Sequence, residues 1–142
     1  MAMIYAEQVE YMSMEPMQKT HESEIKILNA IDNLAISYDH GEVPLSELEE
    51  KIDEYIEHVH EHFASEEHLM QQYDFPSFEM HKMAHDMFLA DLAYATKHWK
   101  VHGDIKKIIN FVRKTPEWIV MHVNSVDAPT ADYIARKIDA QK

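Results

Sequence analysis

The chain contains no cysteine, which excludes disulfides, iron–sulfur clusters, thiolate metal sites and thiol nucleophiles together. Any bound metal must then be held by nitrogen and oxygen. Glycine occurs twice and proline five times in 142 residues. A many-stranded sandwich or barrel needs a turn about every 8–12 residues, so turn makers are too few for one. Basic residues are scarce as well: Lys plus Arg number 13 against 26 Asp plus Glu, a net charge of −13. That charge repels phosphate backbones and anionic lipid surfaces, so neither nucleic acid nor a membrane is an expected partner. The segment Met1 to Met17 places Glu7, Glu10 and Glu15 before its first lysine and lacks a basic-then-apolar pattern. It reads as neither signal peptide nor membrane anchor, and the cytoplasm is the expected compartment.

What is present describes a folded helical protein. Hydrophobic residues make up 46% and charged residues 27% of the chain, the balance of one globular domain spanning 1–142. Residues 1–17, with Met12, Met14 and Met17 around Pro16, read as an N-terminal arm. Apolar residues at three- and four-residue steps predict helices over 18–39 (Ile25, Leu28, Ile31, Ala35), 45–73 (Leu48, Ile52, Tyr55, Val59, Leu69), 77–102 (Phe88, Leu92, Ala95, Trp99) and 104–127 (Ile105, Ile108, Ile109, Val112, Ile119). Thr115-Pro116 predicts a break or kink in the fourth, Asp127-Ala128-Pro129 its end, and 130–142 a short amphipathic segment. Short connections favour antiparallel neighbours, hence an all-α, up-down-up-down four-helix bundle carrying the arm.

The 11 histidines are the unusual feature. His21, His62, Glu66, His81, His85 and His122 replace apolar residues in phase with the buried stripes. Burying so many polar groups without partners would cost roughly 1–3 kcal/mol each, in sum comparable to the stability of a whole domain. A common partner is required, and a metal centre supplies one. His62 with Glu66, and His81 with His85, are i, i+4 pairs that present two donors on one helix face. Imidazoles with a few carboxylates suit iron, zinc, copper or manganese, and the number of histidines allows more than one ion. Asp127 follows His122 by five residues, about 140° away around a straight α-helix, and joins them only if the helix end distorts. His58, His60 and His68 fall off the stripe and His40, His98 and His102 lie near helix ends; these six are expected to be solvated.

The segment His62-Phe63-Ala64-Ser65-Glu66-Glu67, the pair in His81-Lys82-Met83-Ala84-His85, and Trp118-Ile119-Val120-Met121-His122 followed by Asp127 resemble the motifs of the hemerythrin family, in particular its bacterial members. The resemblance covers about residues 11–133, with His21 in the place of the first-helix ligand. It implies a non-haem di-iron centre in the bundle core. His81, His85 and His122 would bind one iron, His21 and His62 the other. Glu66 and Asp127 would bridge them together with an oxo or hydroxo group, leaving one iron open to O₂ or a related small ligand such as peroxide, NO or azide. Met17, Phe63, Trp118 and Ile119 are candidates to line a water-poor pocket there, or equally to be plain core packing.

The chain also departs from that pattern. Gln18 and Ser13 stand where the family often has an acid and a glycine, and Thr130 where it commonly has a tyrosine. Glu24 stands three residues after His21 in place of an apolar residue and is a possible additional ligand to the open iron. The readings that follow are O₂ carriage, storage or sensing; a di-iron oxidase or peroxidase with Glu24 modifying the open site; or an iron-binding store. Whether the chain is an enzyme stays open at this level.

Overall fold

The structure, a computed structural model, describes residues 14–141. Among these the elements are α1 (Glu15–Asp39), α2 (Leu45–Gln72), α3 (Phe78–His102), α4 (Lys106–His122), a π-helical turn (Val123–Asp127) and α5 (Ala128–Ala140), with no strand. α1 packs on α2 and α4, and α3 packs on α2 and α4, which closes a four-membered ring of helices: the all-α four-helix bundle. No helix among the described residues is long and apolar enough to cross a membrane.

The predicted stripes form the core. Ile25, Leu28 and Ile31 from α1, Leu48, Ile52, Tyr55 and Val59 from α2, Leu92 and Ala95 from α3, and Ile108 and Val112 from α4 are buried in one cluster. These residues occupy the C-terminal part of α1, the N-terminal part of α2, and the facing parts of α3 and α4. The other end of the bundle receives His21, the second half of α2, the first half of α3 and the end of α4. The domain therefore has an apolar end that folds it and a polar end that needs a different explanation.

Three expectations require revision. Residues 1–13 of the expected arm lie outside the described residues, but Glu15 to Met17 are helical rather than irregular. Pro16 sits in the first turn, where its fixed φ suits the helix and its missing N–H costs nothing, so it starts α1 instead of delaying it. The break expected at Pro116 does not occur, and α4 runs through it. Val112, Thr115 and Ile119 are buried on either side, and this packing outweighs the roughly 3 kcal/mol cost of an internal proline. Nor does Asp127-Ala128-Pro129 end the helical run. Pro129 lies in the first turn of α5, which continues directly from the π turn.

Candidate metal centre

Each of the predicted polar stripe residues is buried: His21, His62, Glu66, His81, His85, His122 and Asp127. Periodicity explains all but one. His62 and Glu66 share a face of α2, His81 and His85 a face of α3, and His21 and His122 face them from α1 and α4. Asp127 arrives by another device. Across the π turn the N–H of Ala128 bonds to the carbonyl of Val123, an i→i+5 step that returns the chain to the same face after five residues rather than four. The carboxylate of Asp127 is thereby 3.0 Å from Nε2 of His122.

The two carboxylates divide their oxygens between two groups of imidazoles. Glu66 Oε1 lies 3.1 Å from His85 Nε2 and 3.4 Å from His81 Nε2, and Asp127 Oδ1 lies 2.9 Å from His81 Nε2 and 3.0 Å from His122 Nε2. The opposite oxygens face the other way: Glu66 Oε2 is 2.6 Å from His62 Nε2 and 3.6 Å from His21 Nε2, and Asp127 Oδ2 is 2.9 Å from His21 Nε2. Two donor sets result, each able to hold a metal ion: Glu66, His81, His85, His122 and Asp127, and His21, His62, Glu66 and Asp127.

The outward nitrogens explain why these sets suit a cation. His85 Nδ1 is 3.0 Å from Glu67 Oε2, His62 Nδ1 is 3.1 Å from Glu24 Oε2, and His81 Nδ1 is 2.9 Å from Thr130 Oγ1. The Thr130 hydroxyl already donates to the Val126 carbonyl, so towards His81 it accepts, as an ionised carboxylate must. Each ring therefore donates from Nδ1 and, when neutral, presents the bare lone pair of Nε2 to a carboxylate oxygen. Acceptor facing acceptor at such distances requires a cation between them or a proton on each ring. The inward atoms His21 Nε2, His81 Nε2, His122 Nε2 and Asp127 Oδ1 are buried and have no hydrogen-bond partner among the described residues, despite their short separations. Their directions do not suit hydrogen bonds to one another. Donors at about 2.1 Å from an octahedral ion are about 3.0 Å apart when adjacent, which is the separation most of these pairs show.

Electrostatics agree. Burial opposes charge on every group, yet contacts with Asp127 and Glu66 push His21 and His81 up from 6.5 to about 9. His62 is likewise raised, by Glu66 and Glu24 against burial. Burial alone would raise the Glu66 and Asp127 carboxyls, but the imidazoles around them hold both well below the usual carboxylate range. A metal ion held there would compete with protons for one strongly anionic hollow.

The pocket candidates separate into two roles. The Phe63 ring stacks on His85 at 3.9 Å between centroids and the half-buried Trp118 ring on His122 at 4.2 Å; Ile119 is buried in the core cluster. Met17, with Pro16, Thr20, His62, Ser65, Glu66 and Leu69, lines a cavity of about 30 Å³ beside the smaller donor set.

Glu24 is buried; its carboxylate joins neither of these two sets but meets the outer face of His62 and, with His58 and His62, makes a third group of donor atoms within 4.8 Å of one another. His58 also departs from expectation. It is half-buried, with its ring 6.0 Å from that of His62, because it precedes His62 by one helical turn and leans towards the same face. The i, i+4 relation of His58, His62 and Glu66 carried that signal. The roles of Glu67 and Thr130 as outer partners had no periodic signal, since each depends on how two helices meet.

Compared with known proteins, the chain is 26% identical over 119 residues to a bacteriohemerythrin of Aquifex aeolicus, covering 83% of this chain and 87% of that one. A bacteriohemerythrin of Ralstonia nicotianae is 31% identical over 86 residues, which are 61% of this chain and 62% of the relative. One of Stenotrophomonas maltophilia is 28% identical over 85 residues, 60% of this chain and 54% of the relative. No family model and no solved structure matches the chain. With a four-helix bundle whose polar end gathers metal-capable histidines and carboxylates, and with this similarity running along most of its length, the chain is a bacteriohemerythrin-like protein.

Proposed function

We propose that the polar end of the bundle holds two iron ions, bridged by Glu66 and Asp127, and binds O₂ or a similarly small ligand. His81, His85 and His122 serve one ion, and His21 and His62 the other. The single observation that carries this reading is the partition of each carboxylate between a three-imidazole set and a two-imidazole set. The smaller set is one donor short of the larger, so the open position belongs to the His21–His62 side.

Iron bound there supplies a reversible change of oxidation state and a coordination position for a small ligand. The chain's residues do the rest. Phe63 and Trp118 hold the planes of His85 and His122 by stacking, and Glu67 and Thr130 fix ring orientation and tautomer from outside. The cavity of about 30 Å³ beside His62 and Glu66 is large enough for a water-sized or diatomic ligand. Its lining offers no acid or base beyond His62 and Glu66 themselves. The hydroxyl-bearing Thr20 and Ser65 also line it, and the function proposed for this site is binding: carriage, storage or sensing.

Anaerobic loading with ferrous iron, metal analysis, and optical spectra before and after admission of air test this reading. The expected result is two irons per chain and a visible charge-transfer band that forms with O₂ and reverses on its removal. One iron or none, or an irreversible change with rapid consumption of added peroxide, would refute it.

A further inference from the structure

We propose that Glu24 is a positioning residue that orients His62 and, through it, selectively strengthens the smaller donor set. The inference rests on the two-metal reading above. His62 bridges two carboxylates: Nε2 is 2.6 Å from Glu66 Oε2 and Nδ1 is 3.1 Å from Glu24 Oε2. An ionised carboxylate cannot donate, so Glu24 obliges His62 to carry its proton on Nδ1 and to turn the Nε2 lone pair inward. Glu24 can reach because it sits one turn after His21 on α1, on the face that meets α2 around His58 and His62.

The two donor sets are supported unequally. In the larger set His81 leans on a neutral hydroxyl and His85 on Glu67, whose side chain is 21% exposed. Glu24 is buried, at 4% exposure, and a hydrogen bond from a buried carboxylate loses less to solvent than one from a wet surface. It pulls the shared proton away from the ring, enriching Nε2 as a donor. A more electron-rich imidazole favours the ferric over the ferrous state of the ion it binds. The smaller set, poorer by one imidazole, is thereby compensated by an anion one bond further out. A purely steric residue of the same size would fill the space and supply neither effect.

The probes are cobalt(II), titrated into metal-free protein and followed by its visible absorption, and the reduction potential of the iron-loaded form. Glu24→Leu should leave the tighter cobalt step unchanged and weaken the second about 10- to 100-fold, the cost typical of losing an outer partner. It should also raise the potential by about 59 mV for each tenfold loss of ferric preference. Glu24→Gln, whose amide oxygen can still accept from Nδ1, should recover most of the cobalt affinity and only part of the potential. Two cobalt steps in the wild type with both unchanged in Glu24→Leu would overturn the positioning role and leave the two-metal reading intact. A wild type that takes fewer than two ions would overturn both. A third cobalt ion, lost in Glu24→Leu and in His58→Ala, would overturn the positioning role by making Glu24 a direct ligand beside His58 and His62, whose donor atoms lie within 4.8 Å of one another.

Discussion

Removing metal should invert the way stability depends on pH. In metal-free protein the anionic hollow is neutralised by protons, and His21 and His81 are raised from 6.5 to about 9 by Asp127 and Glu66 against burial. A histidine whose folded value exceeds its unfolded one stabilises fully below the unfolded value, and the contribution fades as pH rises through the folded one. The loss therefore spans pH 6.5 to about 9. A shift of that size corresponds to about 3 kcal/mol for one histidine. Both rings share Asp127, so their contributions do not simply add, and about 3 kcal/mol is the expected net loss. For a domain of this length that lowers the melting temperature by about 10 °C. At the acid end, Glu66 and Asp127 are held below their ordinary values of 4.5 and 3.8, so stability is also lost as pH falls below about 4.5. Metal-loaded protein should behave oppositely above pH 6.5, holding its stability to pH 9 because the bound ion replaces the protons, and losing metal as pH falls. Thermal melts followed by far-UV circular dichroism, with and without chelator, measure both profiles. A metal-free protein equally stable at pH 6.5 and 9 would refute the claim that buried carboxylates dominate this end of the bundle.

His85→Ala should release one ion of the larger set while the smaller set remains, halving iron per chain by elemental analysis and lowering the melting temperature of the loaded form; full iron content would show that His85 is not a donor. Deleting Ser125, which is exposed within the π turn, should place His122 and Asp127 at i, i+4 and preserve metal binding, because an α-helical step of four residues reaches the same face. Deleting Val120, in the α-helical part of the same run, should instead rotate everything before it by about 100° relative to Asp127 and abolish binding. Equal metal content in the two deletions would refute the account of the π turn.

The sequence was most legible where one helix face told the whole story. Ile25, Leu28 and Ile31, or Leu48, Ile52 and Tyr55, recur at helical spacing because one side of each helix is dry. His62, Glu66, His81 and His85 betrayed themselves as interruptions of the same rhythm. Legibility fell where the outcome depended on competition between local preference and packing. Pro116 argues locally for a break, yet buried neighbours on either side carry α4 through it; Pro16 argues locally for an irregular arm, yet it starts a helix. It fell again for contacts made across helices. Nothing in the spacing of Glu24 shows that its carboxylate meets the outer nitrogen of His62; that contact is made by the packing of α1 on α2, which sets His62 Nδ1 3.1 Å from it.

Asp127 joins these two kinds of information. Its distance of five residues from His122 is wrong for an α-helix, and that mismatch is itself a structural instruction: either the aspartate is irrelevant or the helix is wound differently there. The π turn over Val123–Asp127 resolves it in favour of the second. A widened turn leaves backbone bonds less well aligned than an α-helix does, so it persists only where something repays the distortion. Here Asp127 lies within 3.0 Å of imidazoles from α1, α3 and α4. One carboxylate thus ties three helices of the bundle to one centre, and the irregular winding is the local cost of that link. The same logic places the weakest local structure beside the strongest tertiary constraint, which is how a small bundle can hold a rigid polar centre without a disulfide.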